Sequence, residues 1–256
     1  MLNGHQLLMG ELVTTRFFGV RGLAAPVERL LGGVAGSVCA VRTEAPYVVL
    51  TYDDGPDPAG TAEVLAALAE SRATATFFVL LTRVRRFPGL LAEVAAAGHE
   101  IALHGPDHRR LTRLRPDEVA RRTRDARAEL EDLTGRRVRW FRPPYGAQSF
   151  GTWRAVTRCG LVPVLWGPEL RDWADLPQAE RLAGAVRSAR AGSIVLGHDG
   201  FAGPGDGVDD GPAPTLDRGD LTRRLLHACA ARGLAGRSLG DALEAGEPSR
   251  RARFRR

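Results

Sequence analysis

The sequence predicts an α/β fold with a mostly parallel sheet, on the basis of alternation and composition. From residue 47 onward, short β-rich runs alternate with segments of helical character, a pattern typical of β-α-β units with right-handed crossovers. At 256 residues, 44% hydrophobic and 26% charged, the chain has an ordinary globular composition and enough length to bury a sizeable core.

Six runs are predicted to be strands because apolar, β-branched and aromatic residues dominate them. In chain order they cover 47–52, 74–81, 100–104, 138–141, 161–166 and 193–196. The helices predicted between and after them cover 61–70, 90–97, 116–135, 153–159, 178–191 and 221–232. Gly98 and Gly135 are typical of the position that follows a helix C-terminus, and Pro116 is typical of a first turn.

The helix that begins at Pro116 carries one apolar stripe. The stripe consists of Val119, Ala126, Leu130 and Leu133. Its spacing brings these side chains to one side of a helix.

We predict one domain over residues 45–246, preceded by an extension over residues 1–44 that packs on it. The apolar segment 17–41 is interpreted as an amphipathic helix on the domain or, alternatively, on a membrane surface. Residues 247–256 are interpreted as a solvated arginine-rich tail. The Gly-, Asp- and Pro-rich stretch 203–214 is predicted to be a long loop, and such loops are often functional lids or disordered segments.

The net charge of +6 does not by itself indicate a nucleic-acid partner. All 36 basic residues are arginine, and the abundance of Ala, Gly and Arg indicates a GC-rich coding bias. A specific nucleic-acid binder would show clustered basic and aromatic residues. We therefore predict no nucleic-acid partner.

Cysteine usage and the first residues indicate a cytoplasmic location. Three well-separated cysteines imply no disulfide framework and a reducing compartment. The first twenty residues lack the order of zones that marks a signal peptide. No uncharged apolar stretch of about 18 residues is present, so no transmembrane segment is predicted; peripheral membrane contact stays an alternative.

Ionisable residues follow five of the six predicted strands, all but the second, and Asp172 lies a few residues past the end of the fifth. They are Asp53, Asp54, His104, Arg142, Asp172, His198 and Asp199. The carboxyl ends of parallel strands meet on one face of a sheet or barrel, which is where active sites form. We therefore expect a site there.

Adjacent carboxylates at Asp53 and Asp54 point in different directions on a tight turn, so one can bind a metal while the other takes up a proton. An Asp-rich turn without function is the alternative. His104 and His108 are spaced so that both imidazoles lie on one side of a compact loop. With Asp54 they form a set suited to zinc or a similar divalent ion, the alternative being two surface histidines.

Two later segments add groups of other kinds. The prolines and glycine of 142–146 make a rigid turn that can hold the Tyr145 backbone N–H toward a ligand, or serve structure alone. His198 ends a buried strand and is a natural proton donor to an amine leaving group, or else a histidine capped by its neighbours.

Five motifs in order resemble the polysaccharide deacetylase family, the NodB-homology group or carbohydrate esterase family 4. They are TYDDGP (51–56), HGPDH (104–108), RPPYG (142–146), RDW (171–173) and IVLGH (194–198). The resemblance extends from about residue 47 to 243 and implies a distorted (β/α) barrel of about seven strands.

The resemblance also implies a role for each matching residue. It implies a divalent metal, zinc or alternatively cobalt, on Asp54, His104 and His108. It makes Asp53 the general base oriented by Arg142, His198 the general acid oriented by Asp172, and the Tyr145 N–H an oxyanion contact. Trp173, Leu196 and Pro144 would line the pocket for the acetyl group.

The activity that the resemblance implies is metal-dependent removal of an N-acetyl group from a small, lipid-linked or polymeric amino sugar. A related amidase or deformylase acting on a metabolite or natural-product intermediate is the first alternative, and a non-catalytic carbohydrate-binding relic is the second. One position departs from the family pattern. Family members often have Ser or Thr after the first metal histidine, where this chain has Gly105, so a hydroxyl that would brace the loop is missing.

Overall fold

Nine strands are found in the part of the chain that the structure, a computed structural model, describes: residues 24–254, without the side chains of residues 24–26 and 29. They are β1 (Ser37–Arg42), β2 (Tyr47–Asp53), β3 (Thr76–Leu80), β4 (Glu100–Gly105), β5 (Trp140–Phe141), β6 (Val162–Pro163), β7 (Ile194–His198), β8 (Ala235–Arg237) and β9 (Glu247–Arg251). Seven of them form a parallel sheet in the order β6-β5-β4-β3-β2-β7, with β8 also paired to β2. The predicted α/β class is confirmed.

The helices follow the strands as the alternation predicted. They are α1 (Ala24–Ala35), α2 (Gly60–Glu70), α3 (Leu81–Arg86), α4 (Pro88–Ala96), α5 (Pro116–Thr134), α6 (Phe150–Arg158), α7 (Gln178–Ser188), α8 (Arg218–Ala230) and α9 (Leu239–Glu244). Gly135 ends α5 in the left-handed conformation, with φ 63°. Leu133, the last residue of the predicted stripe, is 53% exposed, because the buried stripe runs through Thr123 and ends at Leu130.

Strand β1 joins the two edges of the parallel sheet. Val38 bridges Val164 just past β6, while Ala40 bridges Ser193 just before β7. Nearer the carboxyl ends of the strands, Glu169 bridges Leu196 directly. These contacts bring the edges together, so the sheet closes into the distorted barrel that the resemblance implied.

Alternate residues of each strand face the barrel interior. On β2, Val48, Leu50 and Tyr52 pack in the cluster that includes the helices, whereas Val49 packs in the second, interior cluster. The other strand residues of that interior cluster are Val38, Val41, Phe78, Ala102, Trp140 and Ile194. Because strand side chains alternate between faces, every second residue beyond these positions on β2, β4, β5 and β7 also faces inward. Strand β1 departs from the alternation at a register irregularity between Val38 and Ala40.

The segment predicted to be a solvated tail is instead partly a strand. Residues 247–251 form β9, which pairs antiparallel with β1, and Arg42 donates to Glu247 at 2.8 Å. Glu-Pro-Ser-Arg-Arg has little intrinsic strand preference, so the open edge of β1 decides its conformation. The division into residues 1–44, 45–246 and 247–256 stays a prediction.

The end of the described chain also contacts α1, which belongs to the predicted extension. The Ala252 N–H donates to the Glu28 carbonyl at 3.0 Å, and the Arg253 and Glu28 side chains lie 3.4 Å apart. Residues 1–23 of the extension, with the predicted absence of a signal peptide, lie outside the described residues.

No helix among residues 24–254 is both long enough and apolar enough to cross a bilayer.

Candidate active site

Strand alternation explains why the predicted site residues converge. Four of them follow an interior-facing residue of their strand by two or four positions: Asp53 follows Val49, His104 follows Ala102, Arg142 follows Trp140, and His198 follows Ile194. An even spacing keeps all four side chains on the interior face at the carboxyl ends of the strands. The register between β2 and β7 also pairs Asp53 with His198.

Asp53 is held by a buried arginine. Its Oδ1 accepts a hydrogen bond from Arg142 Nη1 at 2.7 Å, and the same nitrogen donates to Thr51 Oγ1 at 2.9 Å. Arg142 is fully buried, with its guanidinium carbon 4.1 Å from the centre of the Phe78 ring. Burial lowers the pKa of Arg142, and the Asp53 carboxylate opposes that shift. One carboxylate oxygen is thus fixed, while Oδ2 faces His104 Nε2 at 3.9 Å.

Asp54, His104 and His108 form a buried cluster with one possible ligand atom from each, all within 4.8 Å of one another. Asp54 Oδ1 lies 3.4 Å from His104 Nε2 and 3.3 Å from His108 Nε2. Asp54 has φ 72°, a left-handed conformation that aspartate adopts more readily than most residues. The turn therefore directs one oxygen of Asp53 to Arg142 and one oxygen of Asp54 to the two histidines.

The cluster fits a divalent cation by the chemistry of its donors. His104 Nδ1 lies 2.8 Å from the Arg142 carbonyl oxygen; it must donate to that acceptor, which leaves the Nε2 lone pair for a metal. Among the described residues, buried Asp54 Oδ1 has no hydrogen-bond partner. Burial raises the pKa of Asp54, but His108 and His104 more than reverse this, so its pKa is well below the usual range. A carboxylate and two imidazole nitrogens suit zinc or a similar ion.

Tyr145 lies on the rigid turn that the prolines and glycine predicted. It has φ 61°, an uncommon conformation for a large side chain, and Gly146 follows with φ 62°, where a Cβ would lie 2.7 Å from Trp166. The Tyr145 ring packs on His108 with centroids 4.4 Å apart. Its hydroxyl donates to Asp210 Oδ2 at 2.6 Å, which ties the long loop 203–214 to the cluster.

Asp172 contacts both the backbone and the ring of His198. Asp172 Oδ2 accepts from the His198 backbone N–H at 2.7 Å, and Oδ1 lies 2.7 Å from His198 Nδ1. Burial alone would lower the pKa of His198, but the ion pair with Asp172 raises it to about 9. The raised pKa favours the protonated imidazole, in which Nε2–H is available as a donor.

The three predicted pocket residues differ in exposure. Leu196 is buried on the interior face two residues before His198, and Pro144 is buried at the start of the 144–146 turn. Trp173, next to Asp172, is 45% exposed. The acetyl pocket stays a prediction.

Sequence reasoning missed Arg218, which supports the His198–Asp172 pair. Its Nη1 donates to the His198 carbonyl at 2.7 Å and lies 3.6 Å from Asp172 Oδ2. Arg218 begins α8, far from every motif, and one arginine among 36 carries no local signal. Only the packing of α8 against α2 and α7, which brings the Arg218 side chain to the end of β7, reveals it.

Asp199 was among the ionisable residues at the strand ends, with no role assigned to it. It lies beside the Asp53–Asp54 turn, and its N–H donates to the Asp53 carbonyl at 3.2 Å. It accepts a hydrogen bond from Thr61 Oγ1 at 2.6 Å, and burial raises its pKa to about 7. A Cβ at Gly55 would overlap the Asp199 carboxylate, so the turn needs glycine at that position.

Comparison with known proteins gives consistent matches. Residues 40–164 match the profile of the family described as polysaccharide deacetylase. A chitooligosaccharide deacetylase from Azorhizobium caulinodans is 36% identical over 209 residues, covering 79% of this chain and 97% of the relative. A peptidoglycan-N-acetylglucosamine deacetylase from Bacillus cereus is 35% identical over 164 residues, or 60% of this chain and 72% of the relative.

One solved structure adds a match in three dimensions. A family 4 acetyl xylan esterase from Clostridium thermocellum, in complex with a cobalt ion, superposes with a TM-score of 0.65 at 28% identity. The match covers 77% of this chain and 90% of the esterase.

Proposed function

The chain belongs to the polysaccharide deacetylase family, and from this we propose that it hydrolyses the N-acetyl group of an amino sugar to acetate and a free amine. One arrangement carries the proposal. The Asp53 carboxylate, held by Arg142, lies beside the cluster of Asp54, His104 and His108 and is paired in register with His198. Amide hydrolysis needs a base, charge stabilisation and an acid for the leaving amine.

The relatives support an N-acetylated amino sugar as the substrate class. Two of them are described as acting on chitooligosaccharides and on peptidoglycan N-acetylglucosamine, which share an acetamido group on a sugar ring. We propose the same group for this chain. Whether the sugar is small, lipid-linked or polymeric depends on loops outside the shared motifs, such as 203–214.

We propose that Asp54, His104 and His108 hold one divalent ion, zinc or alternatively cobalt, the ion in the acetyl xylan esterase structure. When bound, such an ion acts as a Lewis acid that lowers the pKa of water and polarises a carbonyl.

Asp53 is the proposed general base. Its Oδ1 is occupied by Arg142, so Oδ2, on the side of the cluster, is the oxygen free to accept a proton from the attacking water. The charge-assisted hydrogen bond from Arg142 fixes the orientation of the carboxylate. The Tyr145 backbone N–H, on its left-handed turn, is the proposed donor to the oxyanion that forms as the carbonyl carbon becomes tetrahedral.

His198 is the proposed general acid. Asp172 keeps its imidazole protonated and oriented, so Nε2–H can transfer a proton to the amine nitrogen as the carbon–nitrogen bond breaks. Without that proton the leaving group would be an amide anion, which is too basic to leave.

The pH dependence of turnover tests this role. Because the protonated imidazole is the active form, we expect the rate to fall as the pH rises through the pKa of His198, about 9, or lower where a nearby cation repels the proton. Replacing Asp172 by Asn removes the cause of the raised pKa and should move the alkaline limb to lower pH. Initial rates measured across the pH range give the position of the alkaline limb in the wild type and its shift in Asp172→Asn.

A surface ion pair gives the control for this pH profile. Asp220 pairs with Arg224 at 2.7 Å on the solvent-facing side of α8, and Asp220→Asn should leave the alkaline limb in place. If Asp172→Asn leaves the alkaline limb unmoved, His198 is not the acid.

The raised pKa of His198 also affects the stability of the fold. The His198–Asp172 pair adds stability below the ordinary histidine pKa of about 6.5, and this contribution is lost as the pH rises through 9.

The acid that the protein releases and its metal content distinguish the deacetylase from the alternative functions. We expect acetate release from N-acetylated chitooligosaccharides or peptidoglycan fragments, and about one metal ion per chain, as a single three-ligand site implies. Formate release from N-formyl substrates would identify the deformylase, and acetate release from acetylated xylan alone would identify an esterase. Metal-loaded protein that binds sugars without releasing acid would be the relic. Full activity in a chelator would contradict the metal-dependent mechanism.

A further inference from the structure

The loop that carries the two histidines cannot be braced by a hydroxyl side chain at its second residue. Gly105 has φ +153°, and a Cβ there would lie 2.7 Å from the Asp107 carbonyl oxygen. Any residue with a side chain would clash, and the left-handed backbone would add strain. The loop 104–108 must therefore be held in place from outside.

Two backbone hydrogen bonds fasten this loop to other parts of the chain. The His108 N–H donates to the Asp206 carbonyl at 2.9 Å, and the Pro106 carbonyl accepts from the Thr82 N–H at 3.1 Å. Asp107 is held separately, by Arg122 of α5 at 2.6 Å. The position of His108 thus depends on where Asp206 and Thr82 lie relative to each other.

The Asp206 side chain fixes the relative positions of Asp206 and Thr82. It is 1% exposed, with Oδ1 accepting from Thr82 Oγ1 at 2.8 Å and Oδ2 accepting from Arg83 Nε at 3.1 Å. The Gly203 N–H also donates to Oδ2 at 3.1 Å. A buried carboxylate with three donors, one of them an arginine, is fully satisfied, so it connects the loop 200–207 rigidly to α3.

Arg83 extends the joint to the other half of the metal cluster. Its Nη1 donates to Asp57 Oδ2 at 2.9 Å, three residues beyond Asp54, and its Nη2 donates to the Phe201 carbonyl at 2.5 Å. The Ala202 N–H approaches Asp54 Oδ2 at 3.4 Å. One guanidinium therefore links the turn of Asp54 to the loop that supports His108.

We propose that Asp206, acting with Thr82 and Arg83, is a positioning residue that sets the spacing between Asp54 and His108 and so the affinity for the metal. It replaces the support that a hydroxyl at position 105 would give. Asp206 acts through the His108 backbone and through Arg83. The inference rests on the proposed function, because it presumes a divalent ion on the cluster.

The test is metal affinity in three variants. Asp206→Asn removes the charge that Arg83 pairs with, and Thr82→Val removes one hydroxyl with little change of shape. Gly105→Ser introduces the missing hydroxyl. Zinc dissociation constants from competition with a chromophoric chelator, and the visible spectrum of the cobalt-loaded protein, report on the cluster without any substrate.

We expect Asp206→Asn to weaken zinc binding about 10- to 100-fold, the range for outer residues that orient metal ligands, and Thr82→Val to weaken it less. Gly105→Ser should also weaken it, because of the Asp107 clash. In the first two variants kcat should return toward wild type at saturating zinc while the cobalt spectrum changes. Glu100→Gln is the matched control, since this carboxylate accepts three hydrogen bonds at the opposite end of β4 and should leave affinity unchanged.

Unchanged zinc affinity in folded Asp206→Asn and Thr82→Val overturns the inference while leaving the proposed function intact. Tighter binding in Gly105→Ser overturns it as well. If Asp206→Asn does not fold, Thr82→Val decides the question alone. A wild-type protein that binds no zinc or cobalt overturns the proposed function, and this inference with it.

Discussion

Replacing Asp53 by Asn is expected to lower kcat by about 10²- to 10⁴-fold, the usual contribution of a general base, while the metal stays bound. The amide keeps the shape of the side chain but cannot accept the proton that Oδ2 takes up. The three residues of the metal cluster are unchanged, so metal content should stay at the wild-type level. Single-turnover rates and metal analysis on the same sample measure the two effects.

The same substitution should reduce stability, which the controls must account for. Arg142 is fully buried and would lose its charged partner, and an unpaired buried charge costs about 3–5 kcal/mol. Thr51→Val is the matched control, since it removes the other acceptor of Arg142 Nη1 and keeps the base. Folded Asp53→Asn with activity within tenfold of wild type would show that Asp53 is not the base.

Replacing Asp54 by Asn is expected to remove both the metal and the activity. The amide fits the left-handed position at φ 72° because asparagine tolerates it as aspartate does, but it lacks the negative charge. A metal supplies several kcal/mol of transition-state stabilisation, so kcat/KM should fall by about 10³-fold or more. Metal analysis after dialysis, together with kcat/KM, gives the result.

Chelation and reloading provide the comparison for Asp54→Asn. Wild type stripped by a chelator should lose activity and regain it when zinc or cobalt is added, whereas Asp54→Asn should not regain it at the same concentration. Retention of one ion per chain by the variant would show that Asp54 is not a ligand. Together the two neighbouring carboxylates should give opposite patterns: Asp53→Asn keeps the metal without turnover, and Asp54→Asn loses both.

Local patterns predicted the parts of the structure that depend on local chemistry. Strands such as β2 and β7 were recognised by apolar runs, and the ends of α4 and α5 by Gly98 and Gly135. The convergence of Asp53, His104, Arg142 and His198 followed from strand order alone.

What the sequence did not reveal depends on distant contacts. Arg218, Arg83 and Asp206 act through partners on other elements, and nothing in their neighbourhood distinguishes them from other charged residues. The missed strands β1, β8 and β9 gain their hydrogen bonds from pairing rather than from propensity. The predicted strand 74–81 ends at Leu80 because α3 begins at Leu81, and the runs at 138–141 and 161–166 pair over only two residues each.

The antiparallel pair of β1 and β9 also constrains the order in which the chain can fold during synthesis. Arg42 and Glu247 pair although they are 205 positions apart. Every residue proposed for catalysis is therefore translated before β1 can meet its partner. Until then β1 presents an unpaired edge, the kind of surface that promotes association between nascent chains.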